Sequence, residues 1–157
     1  TLIHSVVADA LQDAGLEPPL PDCGVVIGSS RSQQALWEKL ARQFYGADSP
    51  QPPLSKGGLS QGGLQDWLEM LPHMGAIAAA RQMGATGPVL APMAACATGI
   101  WAIAQGFELI RTGQCQRAIA GAVEAPITPL TLAGFEKMGA LAQTGCYPFD
   151  RYREGLV

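Results

Sequence analysis

Val89-Leu90-Ala91-Pro92-Met93-Ala94-Ala95-Cys96-Ala97-Thr98-Gly99 carries an apolar run of strand length straight into a helical pattern, with a cysteine at the joint. Upstream, Gly87-Pro88 marks a turn, and Val89 to Ala95 reads as a buried strand. Downstream, Ala97 to Thr112 reads as a helix, with Ile100, Ile103, Ala104, Phe107 and Ile110 along one face and Gly113 past its end. The joint sets Cys96 against the first helical turn, where backbone N–H groups are unpaired and carry partial positive charge. A thiolate is favoured in such a place, and comparable settings lower a cysteine pKa from about 8.5 to roughly 3.5–7.5. The small neighbours Ala94, Ala95, Ala97 and Gly99 leave room for a substrate at the sulfur. The residues alone leave two readings of Cys96 open: a nucleophile presented by a strand–helix turn, or one of the many cysteines that are buried and inert.

Outward from this joint the same alternation continues. Leu2, Ile3, Val6, Val7, Ala10, Leu11 and Ala14 form a helical stripe closed by Gly15, followed by the proline-rich linker Glu17 to Pro21. Gly24 to Gly28 is a short apolar strand, and Ser29-Ser30 leads into a helix carrying Leu36, Leu40, Ala41 and Phe44 up to Gly46. Gly46 to Asp66 reads as a long loop, of the kind that is functional, mobile or part of an interface. Met74 to Met83 reads as a small-residue helix, Arg117 to Val123 as a second buried strand, and Pro129 to Leu141 as a last helix. Strands alternating with helices predict an α/β fold around a mostly parallel sheet, and continuous apolar strands predict helices on both of its faces.

Composition narrows the function classes. The chain has 157 residues, 48% of them hydrophobic, which excludes disorder as the dominant state. Lys and Arg number 10 against 13 Asp and Glu, with no basic run, so no nucleic-acid partner is expected. Charged residues make up only 15%, against a usual share of about 25%, which points to a surface covered by a partner subunit or by further sequence. Met93 to Ile110 is apolar, but Gln105 and Glu108 break it short of the roughly 20 residues of a membrane span, and no membrane partner is expected. The opening lacks the charged start of a signal peptide and an initiator Met, and Leu156-Val157 sits in an apolar run; the chain is therefore expected to be a piece of a longer protein.

The other chemistry-bearing residues read as structural. Cys23, Cys115 and Cys146 stand in no metal-ligand spacing with one another or with His4 and His73, so free thiols and no metal are expected. His4 reads as a partly exposed helix residue, and His73 as the maker of a local hydrogen bond. Glu124, just past a buried strand, is placed to accept N–H groups of an adjoining loop. Asp150 and Arg153 read as an ion pair organising a turn. The glycine pairs of the long loop form no phosphate cradle, since no G-x-G-x-x-G follows a strand.

Gly87-Pro88 followed by Ala94-Ala95-Cys96-Ala97-Thr98-Gly99 closely resembles the active-site turn of β-ketoacyl-acyl carrier protein synthases, condensing enzymes of the thiolase superfamily. Further matches run in the same order. Gly24 to Ser29 resembles the upstream strand and glycine turn, and Leu71-Pro72-His73-Met74 the entry to the small-residue helix. Ala120 to Ala125 resembles the "AGG-x-E-A" strand end, and Gly134-Phe135 with Ala140 to Ala142 the pocket-side helix. Pro148-Phe149-Asp150 with Arg153, Gly155, Leu156 and Val157 resembles "PFD-x-x-R-x-G-F-V". The synthase II type of fatty-acid synthesis is the nearest subgroup, although polyketide ketosynthases share these strings.

The resemblance implies a thiolase-like layered fold, of which residues 1–157 form part of the N-terminal half, without the family's first strand and its C-terminal half. It implies that Cys96 takes an acyl group from acyl carrier protein, that malonyl-acyl carrier protein loses carbon dioxide, and that the resulting enolate attacks the Cys96 thioester. It gives the Cys96 N–H part of an oxyanion hole, Phe135 a place in the acyl pocket wall, and Glu124, Asp150 and Arg153 structural positions. No cofactor is implied. A homodimer is, in the cytoplasm or, in a plant, the plastid stroma. The family's two histidines and lysine match none of His4, His73 and Lys137, so the chain alone is expected to be inactive. Arg31 stands where the family has a small or apolar residue near the acyl channel; gating the pocket, pointing to solvent and narrowing chain length all stay open. Two other readings are a non-catalytic dimer partner or chain-length subunit, which the retained Cys96 disfavours, and a coenzyme A-dependent thiolase-like acyltransferase.

Overall fold

The computed structural model describes residues 2–45 and 70–156. The long loop expected over Gly46 to Asp66 lies outside them. The chain divides into two compact units, Thr1–Ala125 and Pro126–Val157.

Among the described residues the first unit is a parallel three-stranded sheet between helices. In chain order it contains α1 (Leu2–Asp13), β1 (Cys23–Gly28), α2 (Gln34–Tyr45), α3 (Met74–Met83), β2 (Val89–Leu90), a 3-10 turn (Ala95–Ala97), α4 (Thr98–Arg111) and β3 (Arg117–Ala122). β1 is central, with Val25 opposite Val89 on one side and Ile119 on the other. Its side chains alternate between two cores. Cys23, Val25 and Ile27 pack with Val7 and Leu11 of α1 and with Ala76, Ala79, Ala80 and Met83 of α3. Val26 packs on the opposite face with Ala102 and Leu109 of α4. The fold class expected from the alternation of apolar runs is the one observed, and β1 is buried along its whole length.

Two expectations are corrected. The strand after Gly87-Pro88 is two residues long and exposed at the sheet edge, not buried from Val89 to Ala95, because Pro92 has no N–H for a ladder. β3 is half-buried rather than buried, being the other outer strand. α4 carries the apolar row expected of it, but turned away from the sheet. Thr98, Ala102, Gly106 and Leu109 face the sheet, whereas Ile100, Ile103, Phe107 and Ile110 are exposed, Phe107 to 62%. Close approach explains the inversion: a Cβ on Gly106 would lie 2.9 Å from the Cβ of Ala120, so only small residues fit this contact.

Element ends follow local chemistry. α3 has the bounds expected and stops at Gly84, whose φ of 59° is left-handed. α2 starts later than Ser30, because Ser29 to Arg31 are engaged elsewhere and Ser32 has a φ of 48°. In the second unit, α5 (Pro129–Lys137) has Thr128 as N-cap, its hydroxyl accepting the Thr131 N–H, and Pro129 in its first turn. α5 ends before Leu141 because Gly139 turns left-handed and its N–H donates to the Glu136 carbonyl. Leu141 and Leu156 then form an isolated parallel bridge.

Candidate active site

In a parallel sheet the carboxyl ends of the strands leave a common rim, where ligands of such folds bind. Here Ser29 to Arg31 follow β1, Ala91 to Ala97 follow β2, and Val123 to Ala125 follow β3. Cys96 sits in the 3-10 turn between β2 and α4 and is exposed. It is therefore not the buried core thiol that the residues alone leave open. The turn is sharp. Ala95, just before the cysteine, has a φ of 46°, a left-handed conformation that side chains disfavour. Ala97 N–H donates to the Ala94 carbonyl at 2.9 Å and Thr98 N–H to the Ala95 carbonyl.

Two residues brace this turn. The Thr98 hydroxyl accepts the Ala94 N–H at 2.9 Å and donates to the Ala95 carbonyl at 2.7 Å. The Thr98 side chain also meets β1: a Cβ on Gly28 would fall 2.3 Å from its Cγ2 and 2.4 Å from the Pro92 carbonyl oxygen. Glycine at 28 is what lets the turn lie against the strand end. Neither role is visible in hydrophobic periodicity. The only sequence signal is the coincidence of a glycine ending a strand with a threonine beginning a helix.

Glu124 gathers the loop after β1. Its Oε1 accepts the Ser29 hydroxyl at 2.7 Å, the Ser30 N–H, and the Arg31 N–H at 3.1 Å. The Ser29 hydroxyl accepts the Ser32 N–H at 2.8 Å, and the Ser32 hydroxyl reaches the Met70 carbonyl. Arg31 is exposed, and its main chain is held by this carboxylate. Glu124 and Arg31 are thus brought together.

Phe135, Asp150 and Arg153 belong to the second unit. Phe135 is half-buried on α5. The expected Asp150–Arg153 ion pair is not formed. The Asp150 carboxylate instead accepts the Tyr152 N–H at 2.7 Å, and the Arg153 guanidinium reaches the Asp150 main-chain carbonyl at 3.1 Å. The turn satisfies its own backbone first, as aspartate turns do. Beside it lies an open cleft of about 470 Å³ lined by Cys146, Tyr147, Arg151 and Glu154 among others. The Thr144 hydroxyl and N–H, with the Gln143 N–H, hold the Glu154 carboxyl below the usual carboxylate range.

His73 is the N-cap of α3 but makes no capping bond with its side chain, so the expected local hydrogen bond is not a cap. His4 is exposed on α1, and its carbonyl accepts the Gln82 amide. Burial pushes the Cys23 thiol above its ordinary pKa. Cys115 packs with the α4 core, and Cys146 is exposed. Among the described residues no group of three His, Cys, Asp or Glu is placed to hold a metal ion, and no helix is long and apolar enough to cross a membrane.

Comparison with known proteins adds the following. The family described as "Beta-ketoacyl synthase, N-terminal domain" matches residues 1–157. A Staphylococcus aureus protein, 3-oxoacyl-[acyl-carrier-protein] synthase 2, is 37% identical over 93 residues, 56% of this chain and 23% of the relative. The ketoacyl synthase alpha subunit of the Streptomyces glaucescens tetracenomycin polyketide synthase is 38% identical over 82 residues, 48% of this chain and 19% of the relative. Among solved structures, a type II polyketide ketosynthase bound to its acyl carrier protein superposes with a TM-score of 0.76 at 28% identity, over 95% of this chain and 38% of that one. A Burkholderia phymatum β-ketoacyl synthase shares the fold at a TM-score of 0.70 and 24% identity, over 99% of this chain and 38% of that one. The chain thus spans well under half the length of these relatives.

Proposed function

We propose, from the premise that this chain belongs to the β-ketoacyl synthase family and matches its N-terminal domain, that the whole protein performs decarboxylative Claisen condensation on Cys96. The observation that carries the reading is Cys96 itself: an exposed thiol in a tight turn at the carboxyl rim of a parallel sheet, directly before a helix. Its thiolate attacks the thioester carbonyl of an acyl-acyl carrier protein. A bond from the Cys96 sulfur to the acyl carbon forms, and the carrier thiol leaves. Malonyl-acyl carrier protein then loses carbon dioxide, and the electron pair of the broken bond forms an enolate. The enolate carbon attacks the acyl-Cys96 carbonyl, and the cysteine sulfur departs, leaving a β-ketoacyl group on the carrier. Covalent capture divides one hard step into two. The Cys96 N–H donates to the developing oxyanion.

Phe135 forms part of the acyl pocket wall, by its match to the family's pocket-side helix. Arg31, exposed in the loop after β1 and standing where the family has a small or apolar residue near the acyl channel, tunes which acyl chains enter. Glu124, Asp150 and Arg153 serve the fold. Residues 1–157 are part of the family's N-terminal half, inactive in isolation, because none of His4, His73 and Lys137 stands at the family's histidine and lysine positions. The whole protein works as a homodimer in the cytoplasm or plastid stroma, with fatty acyl chains as substrates. Steady-state assay of the full-length protein tests this. Cys96→Ala abolishes condensation, and iodoacetamide labels Cys96 ahead of Cys23, Cys115 and Cys146. Equal labelling of all four, or an active Cys96→Ala variant, overturns the reading. Turnover of polyketide intermediates but not of saturated acyl-carrier thioesters moves the substrate class from fatty acids to polyketides.

A further inference from the structure

We infer that Thr98 is a positioning residue for Cys96, its hydroxyl locking the strained turn that presents the thiol; this rests on the reading of Cys96 as the acyl-accepting nucleophile. Ala95 holds a left-handed φ of 46° without being glycine, so something must keep it there. The Thr98 hydroxyl bonds on both sides of that conformation. It accepts the N–H of Ala94 at 2.9 Å and donates to the carbonyl of Ala95 at 2.7 Å. The same carbonyl also receives the Thr98 N–H. Thr98 is only 3% exposed, and its methyl group lies against Gly28. Cys96 lies inside the loop these bonds close. With the lock removed, Ala95 relaxes toward negative φ and the thiol loses its direction, while the apolar cores on both sheet faces keep their contacts.

The test uses full-length protein and four variants. Thr98→Val keeps the shape and loses both hydroxyl bonds. Thr98→Ser keeps the bonds and loses the methyl group. Ala95→Gly/Thr98→Val supplies a residue that adopts positive φ without penalty. Thr98→Ala is the reserve. Two readouts are taken: the iodoacetamide rate at Cys96 relative to exposed Cys146, and kcat and KM for condensation. Expected for Thr98→Val is a fall of about tenfold in the labelling ratio and about 100-fold in kcat, with KM within about twofold, as for small misplacements of a reacting group. Thr98→Ser stays near wild type, and the double variant regains part of the loss. An unchanged labelling ratio in Thr98→Val overturns the proposal, as does equal loss in Thr98→Ser or no recovery in the double variant. Should Thr98→Val not fold, Ser against Ala decides: equal impairment overturns it. A wild-type Cys96 that reacts no faster than Cys146 sinks the nucleophile reading and the positioning role with it, a failure seen before any variant is made.

Discussion

Between the central strand and the α1–α3 pair lie Val7, Leu11, Val25, Ile27 and Met83; between it and α4 lie Val26, Ala102 and Leu109, with Gly24 and Gly28 at the closest approaches and Gly106 of α4 against Ala120 of β3. The first contact buries long apolar side chains, and buried apolar area is the main source of folding free energy. The second is thin. It lets the helix come so near that Thr98 touches Gly28 and the turn carrying Cys96 rests on the strand end. One face therefore carries more of the stability, and the other fixes where a reactive group stands.

This contrast can be broken most severely at Gly28. In Gly28→Ala the new Cβ meets the Thr98 methyl group and a main-chain oxygen of Pro92, and a backbone oxygen cannot swing aside. Loss of condensing activity is expected, with destabilisation beyond the usual overpacking penalty of about 3 kcal/mol. Activity assay and urea unfolding of the full-length variant check it; an active variant of wild-type stability would show that the thin face tolerates bulk.

Met83→Ala acts on the other face, where the side chain is fully buried. A cost of about 3 kcal/mol is expected in the unfolding free energy, within the range for such truncations. The labelling rate of Cys96 in the folded state is expected to stay within about twofold, since no bond of the turn involves α3. A large change in that rate would merge the roles of the two faces.

The smallest effect concerns Cys23, on the α1–α3 face. Burial raises its folded pKa above the ordinary thiol value. The unfolded thiol therefore ionises first as pH rises. The stability linked to the neutral buried thiol is fully present below the unfolded pKa and is lost as pH climbs from there through the folded value. Thermal melts above pH 9 are expected to show a decline that Cys23→Ala removes. An identical decline in the variant would place its origin elsewhere.

Much of the fold was legible in the sequence because the cores follow periodicity. The all-apolar run Gly24 to Gly28 marked the central strand, and Met74 to Met83 had a clean start and a left-handed glycine at its end. The strand–cysteine–helix joint was legible too, as was a Glu124 carboxylate accepting loop N–H groups, although the loop it holds is the distant one after β1. What escaped is where small residues decide. The apolar row Ile100, Ile103, Phe107 and Ile110 does share one side of α4, but which side meets the sheet was not legible, because glycine and alanine weigh little in a hydrophobic pattern although they set the contact. Proline at 92 shortened a strand that otherwise looked continuous. Asp150 and Arg153 had charges that suggested a pair, but the turn's own N–H and carbonyl groups claimed them. Thr98 was passed over because a threonine opening a helix looks ordinary until its two hydrogen bonds are seen.

α4 also holds an optical reporter. Trp101, 52% exposed, lies on the same helix as the exposed Ile100, Ile103 and Phe107. Its emission will shift to shorter wavelengths whenever apolar matter excludes water from that side of the helix, and the signal needs no attached dye.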